Sequence, residues 1–225
     1  MQNELIFITH ICVLLGATMG AFLLSKHALR ALVCVYVALA NLFVVKQMML
    51  GGLIACGGGM YIVGSMCGLL LAQTVWGKDF ARKTLYLSFI ISILFFVLSW
   101  FQCAYAPAGG DMAHELFLTV LGRVPRITLA SLVAHIVSQA LTLSLQAILL
   151  ALTSQRGVMV VSMATMFIGQ VLDSALFFTG SFYGYASLGE VGQMVGVSVG
   201  IKTLMIVLSS LLVTWAQKRK EAGSV

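Results

Sequence analysis

The chain has 225 residues, of which 60% are hydrophobic and 9% charged, and its mean hydropathy is +1.05. Soluble globular domains carry about 25% charged residues, so a water-soluble fold is excluded. The net charge of +6 does not mark a nucleic-acid binder, because the basic residues cluster on alternate connections between apolar runs, the pattern of a chain threaded through a membrane.

Seven stretches are long enough to cross a hydrocarbon layer as helix, which takes about 20 apolar residues: Leu5–Leu24, Leu29–Leu50, Leu53–Val75, Leu85–Tyr105, Ile127–Thr153, Val158–Gly180 and Val191–Ala216. Strands of a membrane barrel would alternate apolar and polar positions, and these runs are continuous. The expected fold is therefore an all-α polytopic bundle of about seven transmembrane helices. The first stretch opens on Glu4 rather than on a basic patch and has no small-residue cleavage pattern, so it reads as a retained helix and not a signal peptide. Lys26 and Arg30, then Lys78, Arg82 and Lys83, then Arg156, then Lys218, Arg219 and Lys220 share one side, while Asp111, Glu115, Glu190, Arg123 and Arg126 lie on the other. The positive-inside rule then places the N-terminus outside and the C-terminus in the cytoplasm.

Near the start of the third run, Gly57, Gly58 and Gly59 weaken a helix and allow a break or unwound turn there, or a plain kink. Gly64 and Gly68 on the third run, and Gly192, Gly196 and Gly200 on the seventh, form small-residue stripes suited to close helix packing. The longest connection, Ala106–Arg126, holds a short amphipathic stretch, His114–Leu121, fit to lie on the outer surface or to cap a cavity. The five cysteines are scattered through apolar sequence without a CxxC pair or metal-ligand spacing, and read as small packing residues. No cofactor or metal motif is present.

Two opposite charges lie within apolar runs, Asp173 in the sixth and Lys202 in the seventh. A charge in hydrocarbon costs several kcal/mol unless paired or wetted, and so marks function. Counting along the runs puts Asp173, Lys202, Gln170, Asn41 and Gln139 seven to twelve residues from the outer helix ends, roughly 10–18 Å deep at about 1.5 Å per residue. Lys46 sits closer to the outer face and Arg126 at the mouth of the fifth run. Gln170, Asp173 and Phe177 share one helix face, and Ser131, His135, Ser138, Gln139 and Thr142 form a polar stripe on the fifth run. Amides suit the edge of a heterocyclic base, a carboxylate suits a ligand cation, and Phe177 suits stacking on a flat ring. The residues alone also allow a structural Asp173–Lys202 pair and amides serving as interhelical glue. No HExxH, no GxSxG elbow at a strand-to-helix turn, no phosphate loop and no second intramembrane aspartate supports an enzyme.

Taken in order, Ala40–Lys46 (ANLFVVK), Val75–Arg82 (VWGKDFAR), Arg126–Ser131 (RITLAS) with Ser138-Gln139, Gly169–Asp173 (GQVLD) with Phe177, and Lys202 resemble the successive signatures of the queuosine precursor transporter family, within the vitamin uptake transporter group. The resemblance covers about Leu39–Leu212. It implies import of a 7-deazaguanine for tRNA-modification salvage. It also implies a six-helix core, 29–217, similar to vitamin-importer substrate-binding subunits, preceded by an extra helix in 1–28 and followed by a basic tail, 218–225. Asn41, Lys46, Arg126, Ser131, Gln139, Gln170, Asp173 and Lys202 are the polar positions it carries over. The chain departs from the family pattern at Leu70, Thr74 and Thr142, where acidic or amide groups are usual. The expected setting is a bacterial inner membrane, with a small heterocycle as substrate and a homo-oligomer or an energising partner admitted. Alternatives are a transporter of another heterocycle or vitamin, and a non-transporting helical subunit assembled through the Gly192/Gly196/Gly200 stripe.

Overall fold

The computed structural model describes residues 2–152 and 158–221 of the chain. Among them are seven long helices and one short one: α1 (Gln2–Leu24), α2 (Lys26–Phe43), α3 (Gly59–Trp76), α4 (Lys78–Ala104), α5 (His114–Leu121), α6 (Val124–Leu152), α7 (Val158–Phe182) and α8 (Leu188–Glu221). Strands β1 (Gln47–Leu50) and β2 (Leu53–Cys56) intervene between α2 and α3. The protein is an all-α multi-pass membrane fold, as the apolar runs predict, with one small hairpin added. The chain forms two compact units, one of 1–125 with 200–225 and one of 126–199.

The hairpin corrects the sequence reading, which carried the second run as helix to Leu50 and opened the third at Leu53. Helix α2 instead stops at Phe43, and β1 pairs antiparallel with β2 from Gln47–Cys56 to Leu50–Leu53. Gly51 and Gly52 make the turn with φ of +56° and +81°, the pair of positive values that a tight two-residue turn between twisted strands requires. The first turn of α1 ties the hairpin down: Asn3 donates to the Met49 carbonyl at 3.0 Å, and Glu4 accepts from the Gly51 amide at 3.0 Å. The helix break that the sequence allows at Gly57–Gly59 is present, since α3 begins at Gly59. Its cause is close approach. A Cβ on Gly57 would stand 2.8 Å from the Phe43 carbonyl oxygen, and one on Gly58 would stand 2.6 Å from that of Ala40.

The core of the first unit joins α1, α2, α3 and α4 around Phe22, Leu29, Val63, Cys67, Leu71 and Ala81. Gly64 and Gly68 act as the small-residue stripe predicted for them: a Cβ would fall 2.7 Å from the Tyr36 ring and 2.6 Å from Val33 Cγ2. The Tyr36 hydroxyl crosses to the Leu14 carbonyl at 2.8 Å, linking α2 to α1. On α4, Thr84, Ser88, Ser92 and Ser99 are buried. Thr84 and Ser92 return their protons to carbonyls one turn back, so hydroxyls are buried without an unmet donor. Trp76, Gly77 and Phe80 form the corner between α3 and α4, with Gly77 at φ +89° and the Trp76 ring 5.3 Å from Phe22 and 5.5 Å from Phe80. The VWGKDFAR signature is therefore a packed corner.

Helix α5 has the bounds of the predicted amphipathic stretch, and none of its side chains is buried. The stripe on α8 behaves differently from that on α3, since a Cβ at Gly192, Gly196 or Gly200 meets nothing within 4 Å. Helix α8 opens with a capping box: Ser187 Oγ accepts from the Glu190 amide at 3.3 Å, while Glu190 accepts from the Ser187 amide at 2.7 Å and its hydroxyl at 2.9 Å. Arg156 and residues 222–225 of the basic tail lie outside the described residues.

Candidate functional site

Helix α6 starts with Val124-Pro125, where proline costs no hydrogen bond because first-turn amides have no intrahelical partner. That start delivers Arg126 to the end of α7. Its Nε donates to the Gly180 carbonyl at 2.8 Å, a terminal nitrogen donates to the Tyr183 carbonyl at 2.6 Å, and the guanidinium lies 5.1 Å from the Tyr185 ring. The last carbonyls of a helix lack intrahelical donors and carry partial negative charge, so a cation is favoured there. Arg126 is thus a C-terminal clamp on α7. Just below it, a Cβ on Gly180 would lie 3.0 Å from Ala130 Cβ, which brings the two helices close.

The face of α6 that follows buries Ile127, Ala134 and Ser138, and α7 buries Ser174, Phe178 and Phe182. Both sets recur at helical period. Asp173 lies beside this seam and is half-buried. Ser138 Oγ approaches its Oδ1 at 3.4 Å while also reaching the His135 carbonyl at 3.1 Å, so one hydroxyl proton is divided between two acceptors. One position on, Ser174 Oγ meets Ser198 Oγ at 3.5 Å, which joins α7 to the first part of α8. Asp173 therefore looks toward α6 through one serine, and its neighbour looks toward α8 through another.

Gln170 is half-buried one turn before Asp173, and Phe177 is half-buried one turn after it, its ring edge-on to Phe178 at 5.0 Å. Ser131 is half-buried on α6. Gln139 lies on α6, and its side chain is outside the described ones. Within the second unit the structure thus gathers Ser138, Asp173, Ser174 and Ser198, with Arg126 committed to the helix end. Among the described residues, two buried hydroxyls on the same helices, those of Thr128 and Ser181, have no hydrogen-bond partner. Sequence reading named neither, since a lone Thr or Ser in an apolar run carries no signal of burial.

The remaining predicted residues belong to the first unit. Asn41 is 5% exposed and lies two positions before the end of α2 at Phe43, not deep in a longer helix, because the hairpin takes the residues that the sequence reading gave to that helix. Lys46 is likewise not helical. It is exposed at the base of the hairpin, where its amide donates to the Phe43 carbonyl at 3.1 Å and its carbonyl accepts from Gly57 at 2.8 Å. Lys202 is half-buried about four turns into α8. Each residue is positioned by its own unit.

What this arrangement can do is receive rather than react. A carboxylate beside a shared hydroxyl donor accepts N–H groups, the hydroxyls of the seam donate and accept, and an aromatic edge borders them. Among the described residues no three His, Cys, Asp or Glu side chains converge on a point that would hold a metal ion.

Residues 58–216 match the family model described as "Putative vitamin uptake transporter". A protein of Bacillus subtilis (strain 168) named "Probable queuosine precursor transporter" is 26% identical over 181 residues, covering 80% of this chain and 79% of that one. No solved structure matches the chain. The matched span takes in α3 to most of α8, including both helices of the Asp173 seam. This chain belongs to the vitamin uptake transporter family and is a multi-pass membrane transporter of a small molecule.

Proposed function

We propose that this transporter imports a queuosine precursor, queuine or a related 7-deazaguanine, with Asp173 as the acceptor for the N–H groups of the base. The observation that carries the reading is the placement of Asp173 against Ser138 at the seam of α6 and α7, inside the span shared with a relative bearing that transporter's name. Gln170 and Gln139 would read the ring edge, Ser131 would add a hydroxyl, and Phe177 would stack on the ring. Asn41 is the further amide that the family resemblance adds. Lys202 and Lys46 are the cationic positions that the family resemblance adds, and Arg126 would shape the site by holding the end of α7.

The same reading takes α1 as a helix added before a six-helix core spanning 29–217, in a bacterial inner membrane with the N-terminus outside and the basic tail, 218–225, inside. No step of it is enzymatic. Uphill import then draws on an ion gradient or on a separate energising or trapping partner. The test is uptake of labelled queuine and its precursors into cells unable to make them. Wild type should restore uptake and Asp173→Ala should abolish it at equal membrane abundance. Uptake unaffected by the substitution would refute the site. Competition by unrelated heterocycles, with no response to 7-deazaguanines, would refute the substrate.

A further inference from the structure

A groove of about 430 Å³ runs between α2 and α4, entirely within the first unit. Its lower wall is apolar, built by Cys34, Val35, Ala38, Leu39, Leu87 and Ile91, and one end is closed by His27 and Arg30. The two helices run parallel here: Arg30 Nε donates to Thr84 Oγ1 at 3.3 Å, and Leu39 lines the same groove as Ile91 further along both chains. Their N-termini at Lys26 and Lys78 therefore sit at one membrane boundary, where the positive ends of both helix dipoles add to the side chains.

We propose that this groove binds an anionic phospholipid, with the phosphate at Arg30 and His27 and one acyl chain laid along the apolar wall. Three observations fit that occupant together. The Arg30 guanidinium is fixed, 4.2 Å over the Phe80 ring and bonded to Thr84 through Nε, which leaves its terminal N–H groups for a phosphate. Exposed Lys26, Arg82 and Lys83 lie in the first turns of the same two helices and outnumber the one exposed acid there, Asp79, so the net charge of this end complements an anionic headgroup and not a zwitterionic one. The wall from Arg30 to Leu39 is roughly 14 Å long at about 1.5 Å per residue, close to one leaflet of a hydrocarbon core about 30 Å thick. An acyl chain lying against the groove would thus end near the bilayer midplane.

Native mass spectrometry of the purified full-length chain, titrated with dioleoyl phosphatidylglycerol or dioleoyl phosphatidylcholine, tests this. Wild type should retain phosphatidylglycerol preferentially, and Arg30→Gln should cut that preference about fivefold, the effect of one basic residue at a lipid surface. Ala38→Phe, which fills the wall and keeps the charges, should lower retention of both lipids while the melting temperature holds. Arg123→Gln, distant in the chain from the groove, should leave retention unchanged. Equal retention of the two lipids, or retention untouched by both groove substitutions, would overturn the proposal. So would dimers that Ala38→Phe dissolves without altering lipid retention, because they would assign the groove to a second copy.

Discussion

Replacing Arg126 separates the clamp seen in the structure from a direct role on substrate. Arg126→Ala removes two charge-assisted bonds to the end of α7, at 2.8 and 2.6 Å, and a ring contact at 5.1 Å. Charge-assisted bonds contribute about 1.5–3 kcal/mol each when well buried. These are exposed, so about 1 kcal/mol each is the better figure, with roughly 0.3–1 kcal/mol for the helix terminus and about 0.5 kcal/mol for the ring. The expected loss is about 3 kcal/mol, or roughly 6–12 °C in melting temperature at about 2–4 °C per kcal/mol. Arg126→Lys keeps the charge but not the fork, and should recover about half. The assay is thermal unfolding in detergent alongside uptake kinetics. A clamp predicts that Tm falls for both variants, in the order Ala below Lys, with the apparent KM of surviving transporter little changed. An unchanged Tm together with a large rise in KM would refute the clamp and assign Arg126 to the ligand.

Gly68→Ala should destabilise the first unit by about 1–3 kcal/mol, because its Cβ would fall 2.6 Å from Val33 Cγ2. Gly192→Ala, with open space around it, should be neutral or stabilise α8 by up to about 1 kcal/mol, so parallel melting curves that shift oppositely check the two stripes. If Gly192→Ala instead breaks an oligomer seen by light scattering, the open stripe is an assembly face. At the start of α8, hydrogen bonds from the Ser187 amide and hydroxyl hold the Glu190 carboxyl below the usual carboxylate range. A lowered folded pKa means that its contribution is present above about pH 4.3, the unfolded value, and is lost as pH falls through the folded one. Amide exchange at 188–192 should therefore quicken below about pH 4 in wild type and be quick and pH-insensitive, after correction for intrinsic rates, in Ser187→Ala/Glu190→Gln. A wild-type profile as flat as the variant's would refute the capping box.

The helices were legible because hydrocarbon imposes one condition on every spanning segment, a long run of apolar residues, and that condition is written locally. The hairpin was hidden by the same rule. Gln47–Leu50 and Leu53–Cys56 are as apolar as the helices beside them, and length alone assigned them to those helices. Gly51-Gly52 was the signal available, two residues between short apolar runs, and only the contacts of Asn3 and Glu4, more than 40 positions away, make the strand form preferable. The polar seam was legible in part. Periodicity placed Ser138 and Asp173 on their helices, and the structure adds that they face each other. Arg126 shows the limit: a cation at a helix mouth reads as a ligand group, and nothing local reveals that the carbonyls it serves lie 54 and 57 positions on.

The positions where this chain departs from its family pattern bear on how the proposed site would select its ligand. Leu70 is 36% exposed, and the Thr74 hydroxyl donates to the Leu70 carbonyl at 2.9 Å. This turn of α3 therefore satisfies itself, and it presents a leucine and a threonine rather than an acidic group. A site with several carboxylates can hold a fully protonated amine, because distributed negative charge offsets the desolvation of the ligand's cation. A site resting on Asp173 alone, with Ser138 as a shared donor, discriminates by hydrogen-bond pattern more than by charge. On the reading proposed above, neutral 7-deazaguanine bases should compete for uptake better than amine-bearing precursors. Ser138→Asp, which sets a second carboxylate beside Asp173 within the same unit, should shift that order toward the amines, and an unchanged order would place the charge selectivity elsewhere.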